Sequence, residues 1–169
     1  MIANMIGNLT LIKPTAYQRY VEPKNPRVRE LATLLDIRGE CLALDLVKVV
    51  EWARGNIELV RFTPDLRTVA TTLENSAGSC FSIACVICSV LRSPGLREIY
   101  VAVVRMKNRP FDSMLHAVVV AYEGGTTYVA DPIGDVRYLC TSDSGLPWQL
   151  YGDPLLVFND ACSYFRTKA

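Results

Sequence analysis

The sequence has a single histidine, His116, so any chemistry that needs an imidazole must use that residue. It lacks a charge excess: 18 basic and 17 acidic residues leave a net charge of +1. Phosphate binding usually shows a clear basic surplus, so no nucleic acid partner is expected. It lacks a long hydrophobic run. The longest nearly apolar stretch, Cys80 to Leu91, falls well short of the roughly 20 residues that span a bilayer, and no membrane partner is expected. The start, MIANMIGNLTLIKP, lacks the basic n-region and continuous apolar run of a signal peptide. The expectation is a soluble cytoplasmic protein. Thiols stay reduced in that compartment, so the six cysteines need not pair.

Cofactor signals are missing too. There is no G-x-x-x-x-G-K-[ST] phosphate loop and no G-x-G-x-x-G. Asp112, Asp131, Asp135, Asp143 and Asp153 do not make a calcium-loop pattern. Cys85-Val-Ile-Cys88 has C-x-x-C spacing, but no second such pair completes a zinc site. It also lies inside an apolar helical stretch, where core packing is the better reading. No cofactor and no metal is expected.

What is present fits one domain over residues 1–169. Half the residues are hydrophobic and 21% are charged, as in an ordinary globular protein. A chain of this length typically buries about 70% of its unfolded surface, enough for a core without staples. Residues 13–27 hold Pro14, Pro23 and Pro26 among polar residues and read as an extended lead-in arm. Val28, Leu31, Leu34 and Leu35 have helical spacing, with a break at Gly39. A second helix is predicted from about Glu40 to Arg54, burying Leu42, Leu46, Val49, Val50 and Ala53 and stopped by Gly55-Asn56. Ile57 to Phe62 reads as extended, and Asp65 to Thr72 as a further helix. Asn75-Ser76-Ala77-Gly78-Ser79 is turn-forming and carries N-cap candidates. Cys80 to Leu91 is a helix apolar on all sides, ended by Ser93-Pro94-Gly95.

Three β-like runs follow: Ile99 to Val104, Leu115 to Tyr122 and Thr126 to Ala130. Gly124-Gly125 between the last two signals a hairpin. Tyr138 to Thr141 and Leu155 to Phe158 read as edge strands. Helices first and an antiparallel sheet after make an α+β layout.

Two local placements carry chemistry. A helix starting at Cys80 puts that thiol among unpaired N–H groups, which favour thiolate over thiol. They also offer a site for an oxyanion. The small Ala77-Gly78-Ser79 would let a substrate approach. A two-residue Gly-Gly hairpin sets Glu123 opposite Thr126. It then places His116 and Asp131 on the same face as diagonal neighbours, close enough for a carboxylate to reach an imidazole. That face also holds Val118, Val120, Thr127 and Val129. Ala117, Val119, Ala121, Tyr128 and Ala130 hold the other, so both look covered. A buried His and Asp need partners. In the bland account they satisfy each other, and Cys80 is one more buried small residue. In the sharper one Asp131 orients His116, and His116 takes a proton from Cys80.

Gly78-Ser-Cys-Phe-Ser-Ile-Ala84, His116-Ala-Val-Val-Val and Tyr128-Val-Ala-Asp-Pro132, in that order, resemble the transglutaminase-like superfamily of papain-like cysteine-nucleophile proteins. Leu46-Val-Lys-Val-Val-Glu-Trp52 looks like that family's helix leading into the core. The resemblance covers roughly residues 40–135. It leaves the N-terminal arm and the C-terminal thirty or so residues outside. It implies a papain/transglutaminase-like core, a helix bearing the nucleophilic cysteine packed on an antiparallel sheet, with Cys80, His116 and Asp131 catalytic. The implied reaction is amide hydrolysis (cysteine peptidase or amidase) or acyl transfer to an amine, through an acyl-enzyme on Cys80 of a peptide or protein substrate. Two alternatives stand beside it: a non-catalytic binding or assembly module on the same fold, and an arylamine acyltransferase using acyl-CoA. Asn75, the nearest upstream amide, and Trp148, a loop donor, are the side-chain candidates for holding an oxyanion. Arg105, Lys107 and Arg109 form a basic loop before His116 that could steer an acidic substrate.

Overall fold

A computed structural model describes residues 9–12, 16–60, 66–106, 115–133, 139–142, 151–152 and 154–166. Lys107, Arg109 and Trp148 lie outside the described residues. The described residues include four α-helices: α1 (Pro26–Leu34), α2 (Leu42–Asn56), α3 (Val69–Asn75) and α4 (Cys80–Arg92). Three of their starts carry a side-chain cap. Asn25 caps α1 by accepting the Arg27 N–H at 3.0 Å, with Pro26 in the first turn. Thr68 accepts the Thr71 N–H at 3.2 Å, and Ser79 the Ser82 N–H at 3.3 Å.

The Thr68 cap moves α3 away from the predicted Asp65–Thr72. It fixes the start at Val69, and the helix runs on to Asn75. Similarly α2 passes through Gly55 and ends after Asn56, whose side chain donates back to the Trp52 carbonyl at 2.8 Å. The apolar positions expected on α2 are all buried. Every residue of α4 from Phe81 to Leu91 is buried. Ile87 and Leu91, fully enclosed, each contribute on the order of 1.5–3 kcal/mol.

Among the described residues nine strands accompany them: β1 (Leu9–Ile12), β2 (Glu58–Leu59), β3 (Ala77–Gly78), β4 (Ile99–Arg105), β5 (Leu115–Glu123), β6 (Thr126–Ala130), β7 (Leu139–Ser142), β8 (Leu156–Phe158) and β9 (Ser163–Arg166). Seven make one sheet in the order β1-β9-β8-β4-β5-β6-β7. All its pairings are antiparallel. β2 and β3 form a separate parallel pair. The β5–β6 hairpin has the predicted register, Glu123 opposite Thr126, and both turn glycines have positive φ (56° and 88°), as a two-residue turn of this hand requires.

The sheet extends beyond the stretch that carried the family resemblance. β8 is no edge strand: it lies between β9 and β4. β1 and β9, which had no strand signal, continue the sheet past it. The supposed lead-in arm also packs. Tyr20 and Val21 are buried. The Tyr20 and Tyr17 rings meet Phe81 with centroids at 5.5 and 6.3 Å. The Glu22 N–H donates to Ser89 Oγ of α4 at 2.8 Å, and its carboxylate accepts the Val69 N–H at 3.1 Å.

The sheet is covered on both faces. Ala117, Val119, Ala121 and Ala130 pack beneath the helices. Val118, Val120 and Val129 pack with Tyr100, Val104, Tyr151 and Val157 on the reverse. Among the described residues no helix is long and apolar enough to cross a membrane.

Candidate active site

Cys80 is the first residue of α4, directly after its Ser79 cap. The small residues before it do not simply clear a path. Gly78 is buried. A Cβ there would meet Ser82 Cβ and Thr72 Cγ2 at 3.0 Å each. The missing side chain thus lets β3 press against α3 and α4, which fixes where α4 begins.

His116 is the second residue of β5, paired with Val104 of β4, and is only 6% exposed. The β5–β6 ladder runs no further than Val119↔Ala130. Val118 and Asp131, opposed in the extrapolated register, are therefore not a ladder pair. The chain turns away at Asp131, where Pro132 has no N–H to give. The Asp131 carboxylate itself accepts the Ile133 N–H at Oδ1, 2.9 Å, a local turn that aspartate favours. Despite the parting of the strands, His116 Nε2 lies 2.9 Å from Asp131 Oδ2.

The His116 side chain interacts with the Cys80 thiol and favours its thiolate. Nε2 faces Asp131, so Nδ1 is the nitrogen left for sulfur. The backbone N–H groups of Phe81 and Ala117 favour the thiolate as well. Ala117 lies beyond the last β5–β6 pair, where the departure of β6 opens the strand to α4.

These contacts set the charges. Burial opposes the Cys80 thiolate, but the hydrogen bond and charge of His116 and the two N–H groups outweigh it, so the thiol falls below its ordinary value. Burial likewise opposes the imidazolium, but hydrogen bonds to Asp131 and Cys80 and their charges raise His116 to about 9. For Asp131, burial favours the neutral acid. His116, the Ile133 N–H and the Tyr151 hydroxyl hold it below the usual carboxylate range nonetheless. The arrangement favours a thiolate–imidazolium pair backed by a carboxylate.

Tyr151 had no signal in the sequence. Its hydroxyl donates to Asp131 Oδ2 at 2.8 Å, and its ring is buried beside His116. It arrives there because its segment is stitched to the end of β4. Tyr151 bridges Met106, and the Gly152 N–H donates to the Arg105 carbonyl at 2.6 Å.

The first turn of α4 offers fewer oxyanion donors than expected. Ser79 Oγ takes the Ser82 N–H and the Ser79 carbonyl takes the Ile83 N–H, while the Phe81 N–H favours the thiolate itself. The Cys80 N–H remains, without a partner among the described residues. Asn75 is exposed at the end of α3. Cys85 and Cys88 are buried free thiols, consistent with packing. No group of three or more His, Cys, Asp or Glu that could hold a metal ion occurs among the described residues.

No family model and no curated protein sequence matches the chain. Solved structures do. Legionella pneumophila LapG in its EGTA-treated form is 16% identical, with a TM-score of 0.61 over 85% of each chain. Its calcium-bound form is 15% identical, with a TM-score of 0.61 over 85% of this chain and 90% of that one. A protein of Cytophaga hutchinsonii described as a candidate cysteine protease is 18% identical, with a TM-score of 0.54 over 78% of this chain and 50% of that one. At these identities the likeness is one of fold, and that fold is of the papain/transglutaminase-like type.

Proposed function

We propose that this chain is a cysteine-nucleophile amide hydrolase acting on peptide or protein substrates. The observation that carries this reading is the chain of interactions from the half-buried Cys80 through the sequence's only imidazole to the buried Asp131. The Cys80 thiolate attacks the amide carbonyl carbon, and the carbonyl electrons move to oxygen. The Cys80 N–H donates to that oxyanion. As the intermediate collapses the C–N bond breaks, and the His116 imidazolium gives its proton to the leaving amine. An acyl thioester remains on Cys80. Water then attacks it while His116 takes the water proton. The acid leaves, and the thiolate–imidazolium pair is restored. Asp131 keeps Nε2 protonated and stabilises the imidazolium. An amine in place of water would give transfer through the same thioester.

The test uses p-nitrophenyl acetate. The expected result is a burst of nitrophenolate stoichiometric with enzyme, and an acetyl group mapped to Cys80 by mass spectrometry. Cys80→Ala and His116→Ala should each abolish the burst while keeping the melting transition. A wild-type protein without a burst, or with the acetyl group on another cysteine, would leave the non-catalytic binding module as the better reading.

A further inference from the structure

A groove of about 370 Å³ lies beside the candidate site, within the size range of small-ligand pockets. Ile57 at the end of α2, Leu59 of β2, Ile83 of α4 and Ile133 after Asp131 give it an apolar lining. Arg54 and Glu58 add one charge of each sign. Two walls are continuous with the reactive residues. Ile83 is three positions beyond Cys80, on the same side of α4. Ile133 belongs to the turn held by the Asp131 carboxylate. Arg54 Nε donates to the Pro132 carbonyl at 3.4 Å, tying α2 to that turn.

The backbone of β2 adds a second feature. The Glu58 N–H donates to the Ser76 carbonyl at 2.8 Å, and the Val60 N–H to the Gly78 carbonyl at 3.0 Å. Both bonds point toward β3. Hydrogen-bonding direction alternates along a strand, so the Leu59 N–H and carbonyl point to the opposite edge. They have no partner among the described residues. A groove with an apolar lining therefore adjoins a strand edge that is unpaired among the described residues.

We infer that an extended segment of the peptide substrate pairs with the open edge of β2 at Leu59 and places an aliphatic side chain in the groove lined by Ile57, Ile83 and Ile133. This specificity subsite rests on the amide-hydrolase reading. Strand addition supplies main-chain bonds that any peptide can make, and the groove supplies selection among side chains.

Peptidyl epoxysuccinates test it, because they carry peptide on both sides of the electrophile. Each position is varied in turn through Gly, Leu, Asp and Lys, and the rate of Cys80 modification is read by mass spectrometry. At one position the Leu probe should react at least about tenfold faster than the Gly probe, with Asp and Lys slower than Leu. N-methylation of a backbone amide beside that position should remove most of that advantage. Ile133 is 40% exposed, so Ile133→Glu should fold, and in that variant the Leu-to-Gly ratio should fall toward one. A scan flat at every position, with iodoacetamide still selecting Cys80, overturns the subsite and spares the thiol chemistry. If iodoacetamide fails to select Cys80, the amide-hydrolase reading and the subsite fall together.

Discussion

His116 and Tyr151 share one oxygen of Asp131. His116 Nε2 lies 2.9 Å from Oδ2 and the Tyr151 hydroxyl 2.8 Å from the same atom. Their rings lie 24° from parallel with centroids 6.3 Å apart. Oδ1 is taken by the Ile133 N–H. Three donors thus hold an ionised carboxylate in a buried place. Its orientation decides which nitrogen of His116 is left for sulfur.

The first prediction concerns which thiol reacts. Cys41 is more exposed than Cys80, so exposure alone would make Cys41 the faster. Burial raises Cys85, Cys88 and Cys162 above the ordinary thiol range. Cys80 is lowered, with His116 and two N–H groups working against burial. A free thiol is a few per cent thiolate at pH 7. Cys80 should therefore alkylate with iodoacetamide before Cys41, and its rate should level off at a lower pH. Mapping the adduct across a pH series checks this. Labelling that follows exposure would contradict it.

A second prediction follows from the shared oxygen. His116 is held at about 9 in good part by Asp131, so nitrophenyl ester turnover should fall at alkaline pH as the imidazolium loses its proton near that value. Tyr151→Phe removes one of the donors that fix the Asp131 carboxylate against Nε2, so the carboxylate can turn and its hydrogen bond to the imidazolium weakens. The alkaline limb should move to lower pH. A hydrogen bond to a charged group is worth about 1.5–3 kcal/mol, so the rate should drop by at most about a hundredfold. Asp131→Asn should cost more, up to about 10⁴-fold. A Tyr151→Phe profile superimposed on the wild type would reduce Tyr151 to packing.

Gly78→Ala is the third. Its Cβ would stand 3.0 Å from both Thr72 and Ser82, each fully buried. Overpacking of this kind costs about 1–3 kcal/mol. Thermal unfolding should show that loss. The β3–α4 junction should also shift, so that iodoacetamide labels Cys80 more slowly in the folded variant. An unchanged melting temperature would mean that α3 yields easily at Thr72.

Local chemistry made a good part of this protein legible. The Ser79 cap, the apolar run of α4 and the Gly124-Gly125 turn each act within a few residues. Together they set Cys80 at a helix start and His116 near Asp131 before any tertiary contact is known. The resemblance of the segments around these residues to the transglutaminase-like superfamily pointed to the same fold. Proline and polar composition misled in the N-terminal arm, because Tyr17 and Tyr20 find their aromatic partners at Phe81 and Phe158, far along the chain. β1 and β9 were invisible for a related reason: each gains its place from the other's backbone bonds, which a local pattern does not encode.

The same limit explains the rest of the site. Sequence by itself determined the thiol, its helix and the imidazole–carboxylate pair, because helix capping and hairpin register are short-range. Only tertiary structure brought Tyr151 to Asp131 through a bridge to the end of β4, and brought the Ala117 N–H to act on the Cys80 thiolate where β6 departs. Those contacts join segments with no shared periodicity. Their energy comes from burying and satisfying polar groups together, a condition met only after the chain has closed around them.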